Sequence, residues 1–185
     1  MAAQICLEKF KQAARDNRVE LFFMDEAGMS TVPNVQRAWS PLSEPHAADA
    51  SGTKSRVNIL GALNYGANFL IHSIHKGSVK RDHIVDFIDN LAQKTKTGKP
   101  IIVVLDNATV HHNIDQEKIN HWLANHKLML WHIPPYSPEL NLIEILWKQA
   151  KYHWRKFTTW TKESLLEEVS NIFCAYGNKF KINYA

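Results

Sequence analysis

Hydrophobic residues recur along this chain with two periods, about 3.6 and about 2.0 residues, and the changes between them mark out its elements. Residues 2–16 carry Ile5, Leu7, Phe10, Ala13 and Ala14 at roughly helical spacing with Lys, Arg and Glu between them, which predicts a lead-in helix. The run VELFFMD at 19–25 is apolar, rich in β formers and closed by an acidic residue ahead of Gly28. It predicts a buried strand that delivers Asp25 to its C-terminal end. From 33 to 40, Val35, Arg37 and Trp39 alternate with polar or small residues, and a Ser-, Pro-, Ala- and Gly-rich loop follows from Pro41 to about Lys54. SRVNILGALN (55–64) and ANFLIHSIH (67–75) are strand-like runs joined at Asn64 to Gly66, which predicts a hairpin turn.

Helical period returns over 79–95 through Val79, His83, Val85, Phe87, Ile88, Leu91 and Ala92. After a turn at 97–100, IIVVLD (101–106) is a buried strand ending in Asp106. A short helix over 115–126 and a strand over 127–133 follow, and Pro134-Pro135 break that strand. Ser137 as cap and Pro138 at the first helical position predict a helix from about 138 to 156. Thr161 is the expected cap of a last amphipathic helix over 162–176, and the final nine residues predict no element. After the lead-in helix the order β β β α β α β α α describes an α/β domain. An antiparallel meander comes first, and crossover helices then make the later strands parallel to the first.

Composition narrows the class. The chain has 185 residues, 45% of them hydrophobic and 22% charged, enough for one folded domain and unlike a disordered chain. No apolar run approaches a membrane span, and the charges in MAAQICLEKFKQAARD stand where a signal peptide needs its apolar stretch, so a cytoplasmic protein is expected. Cys6 and Cys174 lie near opposite ends without partner spacing, and each reads as a buried, reduced thiol. His111, His112, His121, His126 and His132 come without a thiolate set, so zinc is not expected. The net charge of +4 is unevenly placed. Residues 1–144 hold 15 Lys+Arg and 15 Asp+Glu, whereas 145–185 hold 7 and 3. The excess forms a basic region directly after Glu144.

Three carboxylates are candidates for chemistry. If the first and fourth strands are parallel neighbours, Asp25 and Asp106 emerge at one sheet edge, where open α/β sheets bind ligands. On the 138–156 helix, Leu140, Ile143 and Trp147 mark the sheet-facing stripe, and Glu144, about two turns in, falls about 40° from Leu140 at the border of that stripe. Three carboxylates in one cleft repel each other and call for a cation. An all-oxygen set favours Mg²⁺ or Mn²⁺, and two such ions about 4 Å apart clamp the attacking and leaving oxygens of a phosphodiester. By position alone the alternative stays open: either Asp is equally a turn former, and Glu144 equally a surface partner for Lys148.

Local sequence carries a further signal. VVLDNATVHH (103–112) followed by LWHIPPYSPELNLIEILWKQAK (130–151) closely resembles the catalytic core of mariner-superfamily transposases, particularly the bacterial insertion-sequence branch. In that family the second carboxylate lies in a DNAxxH segment and the third in a PPYSPxLNxIExxW segment; FFMDEAGM (22–29) resembles the strand of the first. These segments place Asp25, Asp106 and Glu144, with 37 residues between the last two. The resemblance covers about residues 19–155. It implies a ribonuclease H-like, retroviral-integrase-like mixed sheet, with three antiparallel strands, then two parallel ones, and helices on both faces. It also implies a DDE triad holding two Mg²⁺ or Mn²⁺ ions and cut-and-paste transposition of double-stranded DNA, commonly at a TA dinucleotide. A homodimer is the expected active form.

Around the triad, Asn107, His111, His112 and Asn141 are candidates to orient a carboxylate or touch DNA, with a polar, helix-capping loop as the plain alternative for the first three. Lys148, Lys151, Arg155 and Lys156 are candidates for phosphate contacts, against a solvated basic helix end favoured by the helix dipole. Trp147, Trp154, Phe157 and Trp160 read as packing residues. The expected division is a lead-in helix at 1–18, a catalytic domain at 19–160, and a C-terminal helix and tail at 161–185. No paired helix-turn-helix region fits before residue 19. The expectation is therefore a separate DNA-reading polypeptide, or a truncated relic serving only in binding or assembly; a stand-alone ribonuclease H-like nuclease is the remaining alternative.

Overall fold

A computed structural model describes residues 2–31, 41–44, 55–108, 111, 114–154 and 161–183. The expected alternation over 33–40, most of the loop to Lys54, and the candidates His112, Arg155 and Lys156 lie outside the described residues. Five strands, β1 (Glu20–Ser30), β2 (Arg56–Asn64), β3 (Leu70–Lys76), β4 (Ile101–Leu105) and β5 (Leu128–His132), form one sheet in the order β3-β2-β1-β4-β5. β1 and β3 pair antiparallel to β2, whereas β4 pairs parallel to both β1 and β5. This is the meander followed by parallel crossovers that the hydrophobic pattern predicts. The helices are α1 (Ala2–Arg15), α2 (Arg81–Lys94), α3 (Gln116–His126), α4 (Ile143–Trp154) and α5 (Lys162–Cys174).

Strand alternation sorts the side chains into two cores. Leu21, Phe23, Ala27 and Met29 of β1, with Ile102 and Val104 of β4, pack against Leu7 and Ala14 of α1, Ile143, Leu146, Trp147 and Ala150 of α4, and Leu165, Val169 and Phe173 of α5. Phe22 and Met24, with Ile101, Val103 and Leu105, pack on the other face against α2 and Trp122 of α3. Each large side chain so buried stabilises the fold by about 1.5–3 kcal/mol. Among the described residues no helix is long and apolar enough to cross a membrane.

Local details depart from the sequence expectations at five points. β1 does not stop at Asp25. β2 pairs with it as far as Ser30↔Arg56, and this ladder carries the strand past the last residue that β4 pairs, Phe23. The hairpin between β2 and β3 is wider than a tight turn: it spans residues 65–69, with Asn68 in the left-handed region (φ 52°) and the Asn64 side chain accepting the Ala67 N–H at 2.7 Å. The 138–156 helix is two pieces. A 3-10 turn, Pro138–Leu140, ends at an extended Asn141 (φ −94°, ψ 100°), and α4 begins at Ile143. Ser137 makes no side-chain capping bond, its hydroxyl lying 3.4 Å from the Pro135 carbonyl instead. Finally, Cys6 and Cys174 are exposed rather than buried, because α1 and α5 turn their neighbours Leu7 and Phe173 inward. Thr161 does cap α5, through reciprocal bonds with Ser164 of 3.1 and 2.9 Å.

Candidate active site

Asp25 lies where β1 keeps its β2 partner but has lost β4, so one flank of the strand has no ladder partner there. Its side chain follows the odd residues of β1 to the α4 face. It is 8% exposed, and Oδ2 accepts the Trp147 indole N–H at 3.0 Å. Burial pushes the carboxyl up, to about 7; the Glu26 backbone N–H and the Trp147 indole oppose the rise, while the charges of Asp106 and Glu144 add to it. That mutual repulsion places the three predicted carboxylates in one electrostatic neighbourhood.

Asp106 is the first residue beyond β4, and a short network fixes it there. Its Oδ1 accepts the Ala108 N–H at 3.0 Å and lies 2.5 Å from His111 Nδ1. Asn107 donates its side-chain N–H to the Ile133 carbonyl, tying the loop to the end of β5. His132 Nδ1 lies 3.2 Å from the Asp106 carbonyl. The His111 bond, foremost, holds the Asp106 carboxyl below its ordinary range against the opposing effect of burial. His111 is itself fully buried. Burial pulls its imidazole down, but the Asp106 carboxylate outweighs this and raises it overall. Asp106 keeps 41% of its side chain open to solvent, whereas the His111 ring bonded to it is buried.

Glu144 belongs to the first turn of α4, not two turns into a longer helix. The cause is Asn141, which leaves the helical path and donates its side-chain N–H to the Met24 carbonyl at 3.1 Å. This bond pins the start of α4 to the residue before Asp25, and the first-turn position of Glu144 also suits the helix dipole. Lys148 is exposed and Lys151 half-buried. At 100° per residue both lie within about 40° of Glu144 on the α4 surface. Three buried polar side-chain atoms among the described residues have no hydrogen-bond partner: Glu26 Oε2, His111 Nε2 and Asn141 Oδ1. His111 bonds Asp106 and Asn141 is three residues before Glu144, so two of the three adjoin predicted carboxylates, whereas Glu26, an even residue of β1, follows Phe22 and Met24 to the opposite face of the sheet.

Sequence reasoning names the triad, Asn107, His111 and Asn141, but misses the polar role of Trp147, which it reads as packing. A signal was present: a buried indole N–H normally finds an acceptor, and Trp147 follows Glu144 at i+3. The donor set is carboxylate oxygen throughout, which suits a hard divalent cation. Among the described residues no three His, Cys, Asp or Glu stand close enough to enclose an ion unaided.

Residues 20–167 match the family described as DDE superfamily endonuclease. The chain belongs to that family. This DDE superfamily domain is similar to the insertion element IS630 uncharacterized 39 kDa protein of Shigella sonnei, at 22% identity over 129 residues, covering 69% of this chain and 36% of the relative. Among solved structures it is similar to the mariner Mos1 paired end complex with Mg (TM-score 0.68, 16% identity, 96% of this chain and 54% of that one). The Mos1 strand transfer complex gives a TM-score of 0.66 at 16% identity, covering 96% and 53%. A simian T-cell lymphotropic virus intasome gives 0.54 at 9% identity, covering 89% and 50%. These likenesses are of fold, and they agree with the ribonuclease H-like sheet expected from the sequence. The chain spans about half the length of the solved chains and 36% of the curated relative.

Proposed function

We propose that this domain is the catalytic part of a cut-and-paste DNA transposase, hydrolysing phosphodiesters at element ends and joining the freed ends to target DNA. The observation that carries the reading is the placement of Asp25 where β1 has left the β4 ladder, of Asp106 directly after β4, and of Glu144 on a helix tied to β1 through Asn141, in a chain of the DDE superfamily endonuclease family. The Mos1 neighbours were solved as paired end complexes with Mg and with Mn, and as a strand transfer complex. That supports double-stranded DNA as substrate and Mg²⁺ or Mn²⁺ as cofactor.

In this reading Asp25, Asp106 and Glu144 are the catalytic carboxylates and hold the metal. Two divalent ions would supply charge for activating the attacking oxygen and stabilising the leaving 3′ oxygen. The residues of the chain do the rest. Asp106 presents its free oxygen to the cleft because Oδ1 is held by Ala108 and His111. The hydrogen bond from His111 lowers the Asp106 carboxyl, which favours its ionised, cation-binding form. Asn141 fixes Glu144 against β1, and Asn107 fixes the Asp106 loop against β5. Lys148 and Lys151 carry positive charge along the helix leading away from Glu144, where a phosphate backbone leaving the cleft would pass. Arg155 and Lys156 extend the same basic run in sequence. A helix-turn-helix part for end recognition, a homodimer as the active form and a cytoplasmic location complete the proposal.

The test is nicking of supercoiled DNA with Mg²⁺ or Mn²⁺. Nicking is expected with either ion, and Asp106→Asn should abolish it while leaving the circular dichroism spectrum unchanged. Nicking that survives chelator, or that variant, refutes the triad assignment. Joining of a pre-cleaved 3′ end to a second duplex separates a transposase from a simple nuclease.

A further inference from the structure

Trp147 lies between two unlike surfaces. On one side is the bare backbone of β2 at Gly61, whose Cα partner across the ladder is Asp25. A Cβ at Gly61 would come within 2.7 Å of Trp147 Cη2, 3.2 Å of Cζ2 and 3.2 Å of Ile143 Cδ1, so any side chain there displaces the ring. On the other side Phe173 of α5 meets it edge to face, with centroids 5.6 Å apart and planes at 76°. The ring is 2% exposed, and its only polar atom donates to Asp25 Oδ2 at 3.0 Å. Packing alone requires none of this. A phenyl ring fills most of the same space, and the indole N–H would then not need to be buried beside a carboxylate.

We propose that Trp147 is a positioning residue for the metal-binding carboxylates, and that Gly61 is the companion residue that lets it serve as one. The indole N–H occupies one oxygen of Asp25, fixes its rotamer, and leaves the second oxygen for the cation. Because Trp147 sits one turn after Glu144 on α4, the same bond sets the distance between Asp25 and the helix that carries Glu144. Two of the three carboxylates are thereby registered by a single side chain, and the site is formed before an ion or DNA arrives. This inference rests on the functional reading given above.

The chain supplies its own control. Trp122 also donates its indole N–H to an aspartate, Asp89, at 2.6 Å, but on the opposite face of the sheet and away from the triad. Mn²⁺ binding to the protein without DNA, followed by electron paramagnetic resonance, should weaken about tenfold in Trp147→Phe, the loss of one charge-assisted hydrogen bond. Gly61→Ala should act in the same direction, and nicking in both variants should lose kcat with little change in KM for DNA. In ¹⁵N spectra of the wild-type protein, the Trp147 indole signal should move on addition of Mg²⁺ and in Asp25→Asn, while the Trp122 signal stays. Wild-type Mn²⁺ affinity in a folded Trp147→Phe overturns the proposal. If that variant does not fold, the spectra decide: no indole signal moving in Asp25→Asn overturns it equally. Failure of the functional reading looks different, since Asp25→Asn would then bind Mn²⁺ as well as wild type.

Discussion

Replacing Asp25 by Asn should make the protein more stable at neutral pH, and the size of the gain follows from the carboxyl's surroundings. In the unfolded chain this group has an ordinary value of 3.8, whereas in the fold burial and the charges of Asp106 and Glu144 raise it to about 7. Between those values the folded state binds the proton more tightly, so this group's contribution to stability is full below about pH 4 and is lost as pH rises toward 7. A difference of about 3 units corresponds to about 4 kcal/mol at most. Asparagine is isosteric, still accepts the Trp147 N–H through its carbonyl, and carries no charge to repel the other two carboxylates. Allowing for relaxation, a net stabilisation of about 1–3 kcal/mol is expected at pH 8, a rise in Tm of about 3–10 °C for a chain of this size. The assay is thermal unfolding of both proteins from pH 4 to pH 8 in chelator. The two curves should converge near pH 4 and diverge as pH rises. Added Mg²⁺ should then raise the Tm of the wild type but not of Asp25→Asn, because the ion offsets the same repulsion. A variant less stable than wild type at pH 8, or a difference independent of pH, refutes the reasoning.

Other expectations concern neighbouring parts of the site. Asn141→Ala removes the bond to the Met24 carbonyl and should cost about 1 kcal/mol in denaturant unfolding, while lowering nicking kcat by more than the lost stability accounts for; unchanged nicking would show that the tie does not position Glu144. Lys151→Ala should weaken DNA binding across sequences and reduce the slope of log K against log salt by about 0.9, measured by fluorescence anisotropy; an unaltered slope identifies a solvated helix face instead. Asp106→Asn should bind DNA while losing metal-dependent nicking, checked by gel shift beside the plasmid assay.

The fold was largely legible because each strand is written twice, in its apolar run and in the turn residues that bound it. VELFFMD and IIVVLD are buried on both faces and read as continuous apolar stretches for that reason. The continuation of β1 through Asp25 was not legible, because a partner strand 26 to 36 residues away supplies the hydrogen bonds that extend it. The break at Asn141 was hidden by a Ser-Pro start signal that is correct for a first helical turn, and by an apolar period that runs on through Leu140 and Ile143 as though nothing intervened. What stops the helix is a tertiary bond to Met24, invisible to any local window. The triad could be named because its residues follow recognisable strand and motif patterns. Trp147 was harder, since its burial and its hydrogen bond point to different roles and only the first has a periodic signature.

The Asn141 break also bears on how such a chain tolerates changes in length. Glu144 owes its place to a clasp on β1 rather than to any count of residues from Asp106. The 37-residue interval between them passes through α3 and through a left-handed turn at Lys127, both outside that clasp. Residues added to or removed from α3 or that turn would change the interval without displacing the third carboxylate. The spacing between the last two carboxylates is therefore a property of the connecting helix, while the geometry of the site is set by the two bonds, from Asn141 and from Trp147, that hold α4 against β1.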